Sequence, residues 1–309
     1  MNNAALVVLI ISFFVSFIGL IIGTILDLKT REIPDLLNFG LLAIGFGISI
    51  FASLIFSDIS FFLSSLFGFL FCFLFSCIMF YTGQWGGGDA KMLMALGVLL
   101  GLSVSDILSL SSFSFFSIPL VSSFSSFITS LPFLLVFLVL VFFMGGLYGL
   151  VWLLVLLVVY RKTFFPKYIS YLSSQKKQQL LVWVSCVLFF VFSFFFFDAL
   201  LRLAVFLCLL LILIFFYSYP FLKILEEIAF VKEIPVEKVT QGDWIVADIV
   251  VSGEVVARKK DFGISAEQLQ RLLVLAHKGK IKKVKVKYGI PFVPSFLMAF
   301  VVVVWLFFF

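Results

Sequence analysis

Long apolar runs constrain this chain more than any other feature of its sequence. A run of about 20 residues is long enough to cross the hydrocarbon core of a bilayer, about 30 Å thick, as an α-helix. Hydrophobic residues make up 63% of the chain and charged residues only 12%, which excludes an ordinary soluble domain. We therefore predict an α-helical polytopic membrane protein with about eight transmembrane helices. The candidate runs lie near residues 4–26, 36–57, 59–81, 91–105, 131–159, 180–197, 199–219 and 291–309.

The distribution of basic residues predicts how these helices are oriented in the cell membrane. If the N-terminus is outside, the lysines and arginines fall on the cytoplasmic side, and Arg202 is the one exception. Arg202 lies one helical turn after Asp198, so the two side chains can pair as i, i+4 neighbours. The first run has neither a basic segment before it nor a small-residue cleavage site, which indicates a retained helix and not a signal peptide. We expect a multi-pass protein with its N-terminus outside.

The composition changes to that of a soluble, basic segment between Lys223 and about Gly289. A strand predicted from Trp244 onward has an antiparallel partner across the turn at Ser252-Gly253. The capping box from Ser265 to Gln268 then precedes an amphipathic helix, and a lysine-alternating stretch follows as a last strand. We expect a small cytoplasmic β-β-α-β module. The predicted domains are a membrane helical domain at 1–222, this module at 223–289 and a final transmembrane helix at 290–309.

Nucleic acid and metal are both disfavoured as ligands. The lysine-rich last strand of the module lacks interleaved aromatic residues and lies close to the last apolar run, so lipid headgroups or solvent fit it better than nucleic acid. The four cysteines all fall within apolar runs without a CxxC pair, and the chain has a single histidine. We read these cysteines as small packing residues and expect no zinc site.

A serine-rich stretch at 103–130 is ambiguous. Serine hydroxyls bond to nearby backbone carbonyls, so the stretch fits a membrane-embedded hairpin, an amphipathic helix on the outer surface or a loop. The charge distribution requires an even number of crossings, of which zero is the simplest.

Two carboxylates lie at the ends of apolar runs on the same predicted membrane face. At ~1.5 Å per residue the first run extends about 34 Å, so Asp27 should emerge at the inner interface. Asp89 follows Gly86-Gly87-Gly88, and three glycines in a row indicate a backbone that passes closely or adopts positive φ. When two such acids meet, one holds a proton while the other draws a proton from water. This arrangement points to aspartic proteolysis, and Lys91 nearby would favour the doubly ionised pair.

A third acid, Asp35, has a more ordinary explanation. It follows Ile33-Pro34 and precedes an apolar run, as a helix N-cap does, so we assign it to capping and not to catalysis.

Three segments occur in an order that resembles a known family. These are Asp27 to Asp35 (DLKTREIPD), Gly86 to Lys91 (GGGDAK) and Ile290 to Pro294 (IPFVP). They resemble the first-aspartate segment, the GxGD segment and the start of the last helix in the aspartic peptidases that process type IV prepilins and, in archaea, preflagellins (archaellins). The resemblance covers nearly the whole chain, and the cytoplasmic module is similar to that of the larger archaeal enzymes.

The resemblance implies a function and a set of site residues. It implies catalysis by Asp27 and Asp89, which would cleave the short basic leader of a prepilin-like or archaellin precursor on the cytoplasmic side. The residues themselves, and not the resemblance, suggest that the flexible loop of Gly86, Gly87 and Gly88 approaches the substrate backbone and that Lys91 gives electrostatic support. The resemblance implies neither a metal nor an organic cofactor. Nothing precedes the first run here, so the methyltransferase activity of some bacterial relatives is not expected.

Three other readings remain open at this point. A presenilin-like or signal-peptide-peptidase-like protease shares GxGD, but its pattern has Tyr-Asp at the first acid and a later Pro-Ala-Leu, whereas Leu26 precedes Asp27 here. An ion transporter could use both acids as ligands, although such acids usually lie near the membrane midplane. A membrane anchor whose 223–289 module binds a partner leaves the glycine run unexplained.

Overall fold

The structure is a computed structural model that describes residues 3–101, 132–251, 253–259, 261 and 263–308, and the elements are numbered over these residues. The helices long and apolar enough to cross a membrane include those labelled α1, α2, α3, α5, α6 and α7 below, and α9 is a shorter apolar helix. The predicted polytopic helical fold is thereby confirmed. The serine-rich stretch at 103–130 lies outside the described residues. The helices are α1 Asn3–Thr30, α2 Asp35–Ile55, α3 Ser60–Tyr81, α4 Gly87–Leu100, α5 Phe133–Ser174, α6 Lys176–Phe196, α7 Ala199–Ala229, α8 Ala266–His277 and α9 Val293–Phe308.

The chain forms two compact units, of which the first consists of Met1–Leu150 and Ile290–Phe309. It contains α1 to α4, the first part of α5, and α9. Leucine, methionine and phenylalanine side chains fill its interior, among them the fully buried Leu20, Met92 and Phe296. The domain boundaries predicted from composition separate segments inside the membrane from segments outside it. The division into compact units does not test them, so they stay a prediction.

Helices α3 and α4 cross with their backbones in contact. A Cβ atom built on Gly68 would lie 2.1 Å from the carbonyl oxygen of Gly97, and one built on Gly97 would lie 2.5 Å from the carbonyl oxygen of Gly68. Gly97 and Gly101 are four residues apart, the spacing by which small residues let membrane helices approach closely. This crossing holds α4, which carries Asp89, against α3.

The second unit, Val151–Gly289, contains the rest of α5, helices α6 and α7, and a small module of strands with helix α8. Helix α7 begins after Asp198, whose Oδ1 accepts a hydrogen bond from the backbone N–H of Leu201 at 2.8 Å. The expected pairing of Arg202 with that carboxylate is therefore corrected. Arg202 Nε donates to the backbone carbonyl of Asp198 at 3.3 Å, and its guanidinium lies over the ring of Phe194, because the carboxylate is already used to cap the helix.

The strands of the module are β1 Val231–Pro235, β2 Trp244–Ile245, β3 Ile249–Val251, β4 Glu254–Ala257 and β5 Lys283–Lys287. They form a three-stranded antiparallel sheet in the order β1-β5-β2 and a β3–β4 hairpin, which together with helix α8 make up the module. The hairpin across Ser252-Gly253 and the capping box of Ser265 and Gln268 were predicted, and both are confirmed. Strand β1 was not predicted, and the single strand expected from Trp244 is divided into β2 and β3.

Candidate active site

Asp27 lies in the last turn of α1 and is only 5% exposed. Its Oδ2 accepts a hydrogen bond from the backbone N–H of Val293 at 3.0 Å, and a second backbone hydrogen bond comes from Phe292. Val293 is the first residue of α9, where backbone N–H groups have no partner within the helix. The positive end of the α9 dipole also favours a carboxylate at this place. The side chain of Asp27 thus joins the end of α1 to the beginning of α9.

Helix α1 ends abruptly just after Asp27. Arg31 adopts the left-handed conformation with φ 59°, which is uncommon for a residue other than glycine. Its backbone N–H donates to the carbonyl oxygen of Asp27 at 2.9 Å, and the hydroxyl of Thr30 donates to the carbonyl oxygen of Leu26 at 2.8 Å. The last turn of α1 is therefore closed by local hydrogen bonds, and the chain turns at once toward α2.

Asp89 is half-buried and is the third residue of α4. Its Oδ2 accepts a hydrogen bond from the backbone N–H of Gly86 at 3.3 Å. Gly86 has φ −71°, and Gly87 and Gly88 form the first turn of the helix. The three glycines therefore open a helix and do not form a flexible loop, and none of them has positive φ. A close approach does occur at Gly88, where a Cβ atom would lie 3.2 Å from the side chain of Ile33.

The packing of α1 against α4 brings the two acids together. A Cβ atom on Gly23 would lie 2.7 Å from the methyl carbon of Met92, so these residues are in direct contact. Asp27 lies one turn after Gly23, and Asp89 lies one turn before Met92. The carboxyl groups of Asp27 and Asp89 are close enough to interact electrostatically. Two acids with 61 residues of sequence between them therefore lie at the same end of the α1–α4 contact.

Helix α2 contacts the beginning of α4 through two polar residues. Lys91 Nζ lies 2.5 Å from Asp35 Oδ1, and Asn38 Nδ2 donates to the carbonyl oxygen of Gly88 at 3.3 Å. The N-cap assignment of Asp35 is corrected, because α2 begins at Asp35 itself and Pro34 occupies the N-cap position. The ammonium of Lys91 binds Asp35. The sequence reasoning missed Asn38, although its spacing of three residues from Asp35 places both on one helix face.

Trp85 anchors the segment before the glycines. It is buried, and its ring centroid lies 5.5 Å from that of Phe292 and 5.4 Å from that of Phe296. Phe292 is also one of the two residues whose backbone bonds to Asp27. One aromatic cluster therefore joins the segment that precedes Asp89 to the segment whose backbone binds Asp27. Across residues 3–101, 132–251, 253–259, 261 and 263–308, no three His, Cys, Asp or Glu side chains come together as metal ligands.

Comparison with known proteins places the two acids within a matching segment. Residues 13–150 match the model of the type IV leader peptidase family. Preflagellin peptidases of Methanococcus maripaludis, Methanocaldococcus jannaschii and Methanococcus voltae are 38%, 40% and 36% identical to this chain over 90 residues. Those 90 residues are 29% of this chain and 38% to 39% of each relative, so the match spans well under half of the relatives' length. The resemblance noted for the segments of Asp27 and Asp89 is confirmed, whereas that of Ile290 to Pro294 lies outside the residues matched by the family model and stays a prediction.

Proposed function

We propose that this protein is a membrane-embedded aspartic endopeptidase that removes the short basic leader of type IV prepilin-like or preflagellin precursors. The observation that carries the proposal is the packing of α1 against α4 at Gly23 and Met92, which leaves the carboxyl groups of Asp27 and Asp89 within electrostatic reach of each other, inside the segment similar to type IV leader peptidases. An ion carrier would also use two acids. The similarity to preflagellin peptidases favours a peptidase.

The chemistry follows from two carboxyl groups that share a site. Both cannot ionise easily at close range, so one keeps its proton. The ionised group takes a proton from a water molecule that attacks the scissile carbonyl carbon, and the protonated group gives its proton to the carbonyl oxygen. The peptide C–N bond of the resulting diol then breaks as the newly protonated acid passes its proton to the leaving nitrogen. The other acid takes a proton from a diol hydroxyl, so one acid is again protonated and the other ionised. Backbone N–H groups of Phe292 and Val293 hold Asp27, and that of Gly86 holds Asp89. Both acids are therefore oriented before a substrate binds.

The substrate class fits the membrane setting of the site. The apolar helix of a precursor would lie in the bilayer, and its basic leader would remain at the cytoplasmic interface. The first turn of α4 carries no side chain at Gly87, where a Cβ atom would come no closer than 3.7 Å to the ring of Phe80, so an extended substrate backbone could approach Asp89 from that side. The lipid bilayer is thus a partner of the reaction, because it aligns the substrate with the site.

The proposed orientation has the N-terminus outside and the 223–289 module in the cytoplasm. Cysteines introduced one at a time at Lys29, Lys177 and Lys280, in a background without native cysteines, should react only with a membrane-permeant thiol reagent. Labelling of these positions from outside intact cells would contradict the orientation.

Replacing each acid tests the proposed catalysis. Asp27→Asn and Asp89→Asn should each lower the rate of leader cleavage by at least about 10³-fold, since each removes half of the acid pair. Membranes that contain the variant are incubated with a leader-bearing precursor, and the new N-terminus is sequenced. Asp58→Asn is the matched control, because Asp58 is an exposed acid between α2 and α3. Near-normal cleavage by either active-site variant would refute the assignment.

A further inference from the structure

Two contacts join the first turns of α2 and α4 around Asp89. On α2, Asp35 and Asn38 are three residues apart, and on α4 Gly88 and Lys91 are three residues apart, so each pair faces the same way. Asp35 binds Lys91, and Asn38 donates to the Gly88 carbonyl, as described above. We propose that Asp35, Asn38 and Lys91 are positioning residues that fix the rotation of the first turn of α4 and thereby aim Asp89 at Asp27. This proposal rests on the proposed function.

The geometry explains why two contacts are needed. Asp89 directly follows Gly88 and lies two residues before Lys91, so it is bracketed by the two attachment points. A single contact would still allow the first turn of α4 to rotate about that contact. With both in place, α2 holds this turn at two heights along the helix. Asp89 then has only its own side-chain torsions left to adjust.

Asn38 makes its contact with α4 at the expense of stability. The residue is 1% exposed, and its Oδ1 is a buried side-chain oxygen for which the structure gives no hydrogen-bond partner. A buried acceptor without a partner destabilises a fold, and an apolar residue would avoid that penalty. Among the residues that the structure describes, the Nδ2 bond to the Gly88 carbonyl is the one interaction for which the amide is needed. We therefore infer that the asparagine at this position holds α4 in place and does not stabilise α2.

Lys91 is held by α2 in two ways. Besides the ion pair with Asp35, its ammonium lies 5.4 Å from the ring centroid of Phe39. The lysine and aspartate side chains are 36% and 61% exposed, and an ion pair so open to water adds little stability. Its loss should therefore appear in catalysis and leave folding nearly unchanged.

A charge exchange tests the ion pair. Asp35→Lys and Lys91→Asp should each lower kcat for leader cleavage by about 10²-fold with KM nearly unchanged, since a misplacement of about 1 Å has that effect on a catalytic group. The double variant D35K/K91D restores the pair with reversed polarity and should recover at least about tenfold of the loss. Lys177→Asp, at an exposed lysine of α6, is the control for charge reversal. Absence of recovery in the double variant would overturn the proposal.

Asn38→Ala tests the second contact. It should lower kcat by about tenfold or more without lowering the midpoint of thermal unfolding, because the unpaired Oδ1 is removed along with the Nδ2 bond. Ser49→Ala is the matched control, because Ser49 is buried on the same helix and its hydroxyl bonds within α2, to Phe46. Loss of activity in step with loss of folded protein would show that Asn38 is merely structural.

A measurement without substrate separates this proposal from the proposed function. A carbodiimide reacts with carboxyl groups, and mass spectrometry of the full-length protein reports how fast Asp89 is modified. Asn38→Ala and Lys91→Asp should change that rate at least about threefold, while Lys177→Asp should not. An unchanged rate would refute the positioning role. A changed rate in a protein that cleaves no leader would refute only the proposed function.

Discussion

A methyl group added at Gly68 would test whether the α3–α4 crossing sets the position of Asp89. The Cβ atom of alanine would lie 2.1 Å from the carbonyl oxygen of Gly97 and 2.9 Å from the Cα atom of Gly101. Both neighbours are backbone atoms, which cannot move aside by rotating a side chain. The two helices must therefore separate by about 1 Å to reach an ordinary contact distance.

Gly68→Ala is expected to change two quantities, the free energy of unfolding and the rate of leader cleavage. Overpacking of this kind costs about 1–3 kcal/mol, against which alanine gains roughly 0.5–1 kcal/mol over glycine within a helix. We expect Gly68→Ala to lower the free energy of unfolding by about 1–2 kcal/mol. A shift of about 1 Å carried along α4 to Asp89 should reduce the cleavage rate by about 10²-fold, equivalent to roughly 2.7 kcal/mol in the activation barrier.

The assay compares Gly68→Ala with Gly47→Ala in the same membranes. A Cβ atom on Gly47, in α2, meets no heavy atom within 4 Å, so this variant should cleave at the normal rate and be equally or more stable. Cleavage is measured as the initial rate at saturating leader-bearing substrate, and stability by thermal unfolding in detergent. Normal cleavage and an unchanged unfolding midpoint in Gly68→Ala would refute the close crossing.

Two further predictions concern the first residue of α9 and a carboxylate of the module. Val293→Pro removes the N–H donor to Asp27 at a first helical position that tolerates proline, so kcat should fall by the equivalent of about 1.5–3 kcal/mol while the protein stays folded. In the module, the Arg258 backbone N–H and the Gln268 amide hold the pKa of Asp261 below its usual range. This carboxylate therefore stabilises the module above about pH 4, and its contribution is lost as pH falls through the lowered pKa. The amide protection factors at 254–277, which are corrected for the intrinsic exchange rate at each pH, should fall less from pH 6 to pH 3 in Asp261→Asn than in the unchanged protein.

Local features of the sequence were predicted well because their causes are local. A long apolar run forms a helix in a bilayer whatever its neighbours, since its backbone groups bond within the run. The capping box of Ser265 and Gln268 and the hairpin of β3 and β4 likewise depend on a few adjacent residues. The features that were not predicted depend instead on residues far apart in the sequence. Strand β1 depends on pairing with β5, some fifty residues later, which no local pattern reveals.

The sequence by itself determined the membrane class, the approximate helices and the two acids near one predicted face, because hydropathy and spacing are properties of single segments. Only the tertiary structure decided the partners of those acids. The bond from Val293 to Asp27 joins residues 266 positions apart, and the contacts of Asp35 and Asn38 with α4 depend on how α2 packs. Such pairs follow from helix packing, in which the absence of a side chain at Gly23, Gly68 or Gly97 matters as much as any group present.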